Sequence, residues 1–149
     1  MLEKTIRNKM IKEFKNKKIL IQPIESSRTG TGILDIFYRS IHKDGWIELK
    51  KLNQFPKRKN IIEVPWQPGQ MNWIKKYRKF STNIFLFLYI ENTLYIFRGD
   101  GIKETYDSVE LFTYPCYRDF WKEINWDYIY DILDTDEISR RLLVRKEYI

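Results

Sequence analysis

Apolar residues at the start of the chain recur every four positions: Leu2, Ile6, Met10 and Phe14. That spacing draws one stripe along a helix, with lysines on the other faces, and predicts an amphipathic helix over residues 2–16. The pattern then changes. Residues 18–24 (KILIQPI) are rich in β-branched side chains and end near Pro23, which predicts a strand. The polar stretch 25–32 (ESSRTGTG) predicts a loop. Strands are expected at 33–39 and 46–50, around a turn that ends in Asp44-Gly45. Residues 53–63 (NQFPKRKNIIE) read as a basic loop. A second helix is predicted over 68–80, with Pro68 near its first turn and Met71, Ile74 and Tyr77 towards one side. Residues 83–90 (NIFLFLYI) are apolar without interruption, the mark of a strand buried on both faces. A further strand follows at 93–98, with Asn92 in a tight hairpin between the two. Residues 117–133 are aromatic and predict helix in part, and the tail from Asp134 to Ile149 is charged with some helical pattern.

The order α-β-β-β-α-β-β, then helical material, predicts an α/β (α+β) domain with a central mixed sheet flanked by helices. The 149 residues suffice for one domain with a sizeable core. That domain is expected to span 1–149, with a core over about 1–98 and a C-terminal helical extension over about 102–149. Hydrophobic content of 43%, with 16% aromatic residues, argues against a disordered chain. No apolar run reaches the roughly 18 residues of a membrane span, and residues 1–10 are charged, without the apolar core of a signal peptide. Cys116 is the single cysteine and His42 the single histidine, so an intrachain disulfide is excluded and a Cys/His zinc site disfavoured. These features lead to the expectation of a cytoplasmic protein. Charge is divided unevenly: residues 1–80 hold 19 Lys/Arg against 7 Asp/Glu, and residues 81–149 hold 8 against 13. A basic half of this size suggests a polyanionic partner, most often nucleic acid.

Three charges interrupt the apolar hairpin: Asp35 in its first strand, Glu48 and Lys50 in its second. Side chains two apart share a face of a strand, and directly opposed residues point the same way. With the turn centred between Ile41 and His42, Arg39 pairs with Asp44 and Asp35 falls opposite Glu48. Asp35, Glu48 and Lys50 then converge on one patch. Two carboxylates so close repel unless a cation lies between them, and hard oxygen ligands suit Mg2+ or Mn2+. The backbone carbonyl of Leu49 could add a ligand. Lys50 would orient an attacking water or stabilise the charge that develops on a phosphate. This is a kit for metal-assisted phosphodiester hydrolysis. The competing account is an ordinary amphipathic hairpin with a cross-strand Glu–Lys pair. Upstream, Ser26, Ser27 and Arg28 belong to a glycine-containing loop that can offer donors to a phosphate.

The arrangement resembles the PD-(D/E)xK nuclease superfamily, with Leu34-Asp35 in place of Pro-Asp. It is most similar to the virus-type replication-repair nucleases and the archaeal Holliday-junction resolvases. The matching elements are a first helix carrying Glu3, the loop ESSRTGTGILD, the strand WIELK, and VPWQPGQMNWI with Gln70 and Trp73. They span residues 1 to about 98. The resemblance implies a metal-dependent endonuclease acting on branched DNA, as a homodimer, in phage or cellular recombination and repair. It implies catalytic roles for Asp35, Glu48 and Lys50, and a contact from the Gln70 amide to the scissile phosphate or a water on the metal. Gln67 is a rival for that role. Glu3 or Glu25 could supply a further acid near the metal. Lys57, Arg58 and Lys59, and Lys75 and Lys76, could grip a DNA backbone. Two alternatives stand beside it: a nucleic-acid-binding module without turnover, and an interaction protein whose stability does not respond to metal.

Overall fold

The computed structural model describes residues 3–24, 32–57 and 60–135. Its centre is a six-stranded mixed sheet of order β1-β2-β3-β5-β6-β8. The strands are β1 (Ile19–Pro23), β2 (Ile36–Ser40), β3 (Asp44–Leu52), β5 (Ile84–Ile90), β6 (Thr93–Arg98) and β8 (Tyr117–Phe120). All neighbours are antiparallel except β3 and β5. A parallel pair requires a crossover, and α2 (Gln70–Tyr77) lies within it. A two-stranded ribbon stands apart from the sheet: β4 (Ile61–Glu63) pairs with β7 (Thr105–Asp107). The remaining helices are α1 (Glu3–Phe14), α3 (Ser108–Thr113) and α4 (Trp126–Asp134). No helix among the described residues is long and apolar enough to cross a membrane.

The apolar patterns decide which face each helix covers. On α1 the four-residue stripe continues through Ile6, Met10 and Phe14, all buried. They pack with Ile129, Ile132 and Leu133 of α4 against Ile47, Leu49, Phe85 and Phe87 on one face of the sheet. On the other face, Met71 and Ile74 of α2, Ile62 and Tyr106 of the ribbon and Leu111 of α3 cover Leu86, Leu88 and Phe97. Because β5 contributes to both clusters, all seven of its residues are buried, as an unbroken apolar run predicts.

Four features differ from the pattern-based expectation. The second helix is shorter, because Gly69 takes a left-handed conformation (φ 86°) and only Gln70 begins the turn. Residues 61–63, expected in a basic loop, form β4, whose partner lies more than forty residues away. Residues 117–120, expected within a partly helical segment, form β8 and extend the main sheet along β6. Their alternating exposure is the period-two signature that a helical reading of YRDF overlooks. Residues 102–135 are thus only partly helical, and they complete the sheet and its cover rather than append to a finished core.

Candidate active site

The β2–β3 register runs from Arg39 opposite Asp44 to Ile36 opposite Ile47. One step further brings Asp35 to Glu48, and the Asp35 N–H donates to Glu48 Oε2 at 3.0 Å. The two side chains are close enough for the Asp35 carboxyl to act on that of Glu48. Lys50 Nζ lies 3.4 Å from Glu48 Oε1. Both residues sit deep, Glu48 only 1% and Lys50 only 5% exposed. The burial follows from position. β3 is interior to the sheet, and Glu48 and Lys50 lie beside Leu86 and Leu88 of β5.

Burial pushes the Glu48 carboxyl up to about 8, the nearby Asp35 charge and hydrogen bond push the same way, and the Lys50 ammonium opposes them without prevailing. Two carboxyl groups this close are stable together with a proton or a cation between them. A hard divalent ion would replace that proton, so the donor set fits Mg2+ or Mn2+. Among the described residues no group of three or more His, Cys, Asp or Glu side chains gathers to hold a metal. Within the described residues, backbone oxygens, water or substrate would complete the shell.

Asp35 also opens onto a cleft of about 230 Å3, lined by Glu3, Lys4 and Arg7 of α1 and by Leu49. Glu3 and Leu49 thus border Asp35 from the α1 side of the sheet. Gln70 is buried, 1% exposed, at the start of α2. Its amide oxygen accepts the Gln67 N–H at 2.8 Å, and its own N–H donates to the Gln67 carbonyl at 3.1 Å. That reciprocal lock uses the amide oxygen and leaves only the NH2 group for a ligand. Gln67 is exposed.

Gly32, three residues before Asp35, ties the hairpin to α2. Its φ is +76°, and a Cβ there would lie 2.4 Å from the carbonyl carbon and oxygen of Gly69. Gly32→Ala should therefore force the two backbones apart as well as strain its own. We expect a loss of at least ~2 kcal/mol in denaturant unfolding, from the left-handed conformation and the clash together. A change below ~0.5 kcal/mol would show that this approach is not tight in solution.

The surface lysines are dispersed. Lys57 is exposed, beside a cleft lined by Leu52, Phe55 and Ile61. Lys75 reaches Glu104 at 3.7 Å, and Lys76 is exposed on α2. Glu25, Ser26, Ser27, Arg28, Arg58 and Lys59 lie outside the described residues. The sequence pattern missed Lys4, Arg7 and Trp66. Arg7 is four residues after Glu3, so it shares that face of α1 and could have been found. Trp66, whose ring centroid is 5.6 Å from Lys50 Nζ, had no local signal.

The parallel β3–β5 pair joined through a helix and the antiparallel β2–β3 hairpin are the frame on which Asp35, Glu48 and Lys50 sit, and this fold has a solved counterpart. The chain is similar to the solved structure of Archaeoglobus fulgidus Hjc, a Holliday junction resolvase from an archaeal hyperthermophile, with a TM-score of 0.51 and 11% identity over 73% of this chain and 86% of that one. No family model and no curated protein matches the sequence.

Proposed function

We propose that this chain is a metal-dependent DNA endonuclease that hydrolyses phosphodiester bonds in branched or otherwise structured DNA. The observation that carries the proposal is the half-buried Asp35 beside the buried Glu48, with the buried Lys50 3.4 Å from Glu48. Two neighbouring carboxyl groups beside a buried ammonium have little value for stability, and they suit a site built for a cation and an anionic substrate. Similarity of fold to a junction resolvase supports branched DNA as the substrate. The uneven charge of the chain supports a polyanion.

In this proposal Asp35 and Glu48 hold Mg2+ or Mn2+, with the Leu49 carbonyl and Glu3 at the border of the site. The bound cation supplies Lewis-acid polarisation of the scissile phosphate. Lys50 directs its ammonium at the phosphate, where negative charge develops, and orients the attacking water. Gln70 offers its NH2 to a phosphate oxygen. Arg7 and Lys4 line the way in and attract the backbone. No side chain forms a covalent intermediate. The finer assignment is to the virus-type replication-repair nucleases, acting as a homodimer on recombination or repair intermediates in a cellular or phage-infected cytoplasm. Two-fold symmetry would let each copy cut one strand of a symmetric junction.

The test is a cleavage panel of four-way junction, flap, nicked, linear duplex and single-stranded DNA, with and without Mg2+ or Mn2+. Metal-dependent cutting that favours the branched substrates is expected. Tight junction binding with no cutting under either metal would make the chain a binding module. No DNA binding and no effect of metal on stability would leave an interaction protein.

A further inference from the structure

Lys50 has two partners among the described residues. One is Glu48; the other is the face of Trp66, 5.6 Å from ammonium nitrogen to ring centroid. The indole is itself fixed. Its Nε1–H donates to the Lys103 carbonyl at 3.1 Å, and its backbone N–H donates to the Val64 carbonyl at 2.7 Å. Both acceptors flank the ribbon: Val64 directly follows β4 and Lys103 shortly precedes β7. The Val64 N–H donates to the Glu104 carbonyl at 3.0 Å, and Ile62 lies opposite Tyr106. Tyr106 anchors the ribbon in turn. Its hydroxyl accepts the Lys103 N–H at 2.7 Å and donates to the Gly101 carbonyl at 2.8 Å, while its ring stacks on Phe97 of β6. An unbroken series of contacts therefore runs from the central sheet through the ribbon to the lysine ammonium.

A lysine on a four-carbon stem has many rotamers, and an ammonium useful to chemistry must be confined to one place. Glu48 alone makes a poor guide, because in the proposed reaction its oxygens also serve the cation. An indole face attracts the ammonium without competing for either. We infer that Trp66 is a positioning residue for Lys50, and that the β4–β7 ribbon belongs to the catalytic apparatus because it holds this ring. The inference rests on the endonuclease function proposed above.

A double-mutant cycle with single-turnover cleavage of a four-way junction tests it. Trp66→Leu should slow cleavage about tenfold, the scale of one desolvated cation–π contact, with junction affinity unchanged. Trp66→Phe keeps an aromatic face and should stay within about threefold of wild type. In a Lys50→Ala background, Trp66→Leu should cost less than about twofold further. Equal losses with and without Lys50, or a Trp66→Phe variant as slow as Trp66→Leu, would overturn the inference. Where Trp66→Leu fails to fold, Trp66→Met takes its place in the cycle. A second readout needs no activity. The Lys50 ε-methylene protons should resonate upfield in the ring current of wild type and Trp66→Phe, and return in Trp66→Leu. Ordinary shifts in the wild type would overturn the contact itself. A wild type that cuts nothing but keeps the upfield resonances would instead overturn the endonuclease function.

Discussion

Glu48→Gln should abolish cleavage and, in metal-free buffer above neutral pH, make the protein more stable than wild type. Both effects come from one group. The Glu48 carboxyl is raised from its ordinary 4.5 to about 8, first by burial and then by Asp35. A raised carboxyl favours the folded state while it stays protonated. That contribution is fully present below about pH 4.5 and is lost as pH climbs towards 8. Wild-type stability should therefore fall across this window, by ~5 kcal/mol if the shift acts in full. Glutamine has no proton to lose, so its unfolding free energy should lack that slope. Added Mg2+ or Mn2+ should restore stability to the wild type at pH 8–9 and do little for the variant, since binding to the folded state alone stabilises by mass action. The measurements are denaturant unfolding from pH 5 to 9, with and without metal, beside junction cleavage. A variant less stable than wild type at pH 9 would mean that Glu48 is an ordinary ion-pair partner of Lys50. A variant that still cuts would remove Glu48 from the site.

The hairpin that carries these acids was legible in the sequence because a strand has a side-chain period of two. Once Arg39 is set against Asp44, Glu48 can only meet Asp35, and the observed register keeps that pairing. The apolar stripe of α1 and the run of β5 were legible for the same reason, since each has a period that only one element satisfies. What stayed hidden has no period. β4 and β7 are three residues each, and nothing within IIE or TYD names the distant partner. Trp66 meets Lys50 only because that ribbon forms, so its contact could not be read before the ribbon was known. Gln70 shows the opposite limit. Its place at the head of a helix was visible, but the use of its amide oxygen depends on the turn that Pro68 and Gly69 create. The depth of the site was also hidden. Alternating charges in a hairpin suggest solvent on one face, whereas here β5, α2 and the ribbon enclose that face and leave Glu48 and Lys50 buried.

That enclosure sharpens the expected result for Lys50. On a solvated strand its loss would cost at most ~1 kcal/mol of stability and nothing else. Lys50 is instead 5% exposed, with its ammonium between Glu48 and the Trp66 ring. Lys50→Ala should lower the single-turnover rate ~10²-fold or more, the scale of losing one transition-state electrostatic donor. Metal affinity should respond the other way. Removing a positive charge beside Asp35 and Glu48 leaves the two acids more attractive to a cation, so binding should hold or tighten. The comparison belongs at about pH 9, above the titration of Glu48, because the missing ammonium would otherwise let that carboxyl hold its proton to higher pH. Alanine also opens a void around the lost stem. Lys50→Met fills it with an apolar chain of similar length and separates packing from charge. The two variants should share the rate defect, and methionine should recover most of any lost stability. Calorimetric Mn2+ binding, denaturant unfolding and single-turnover cleavage on the same preparations decide between the possibilities. A methionine variant that cuts at the wild-type rate would show that Lys50 only fills space. Loss of metal binding in both variants, with the fold intact, would make the lysine part of the cation site and leave the chemistry to Asp35 and Glu48.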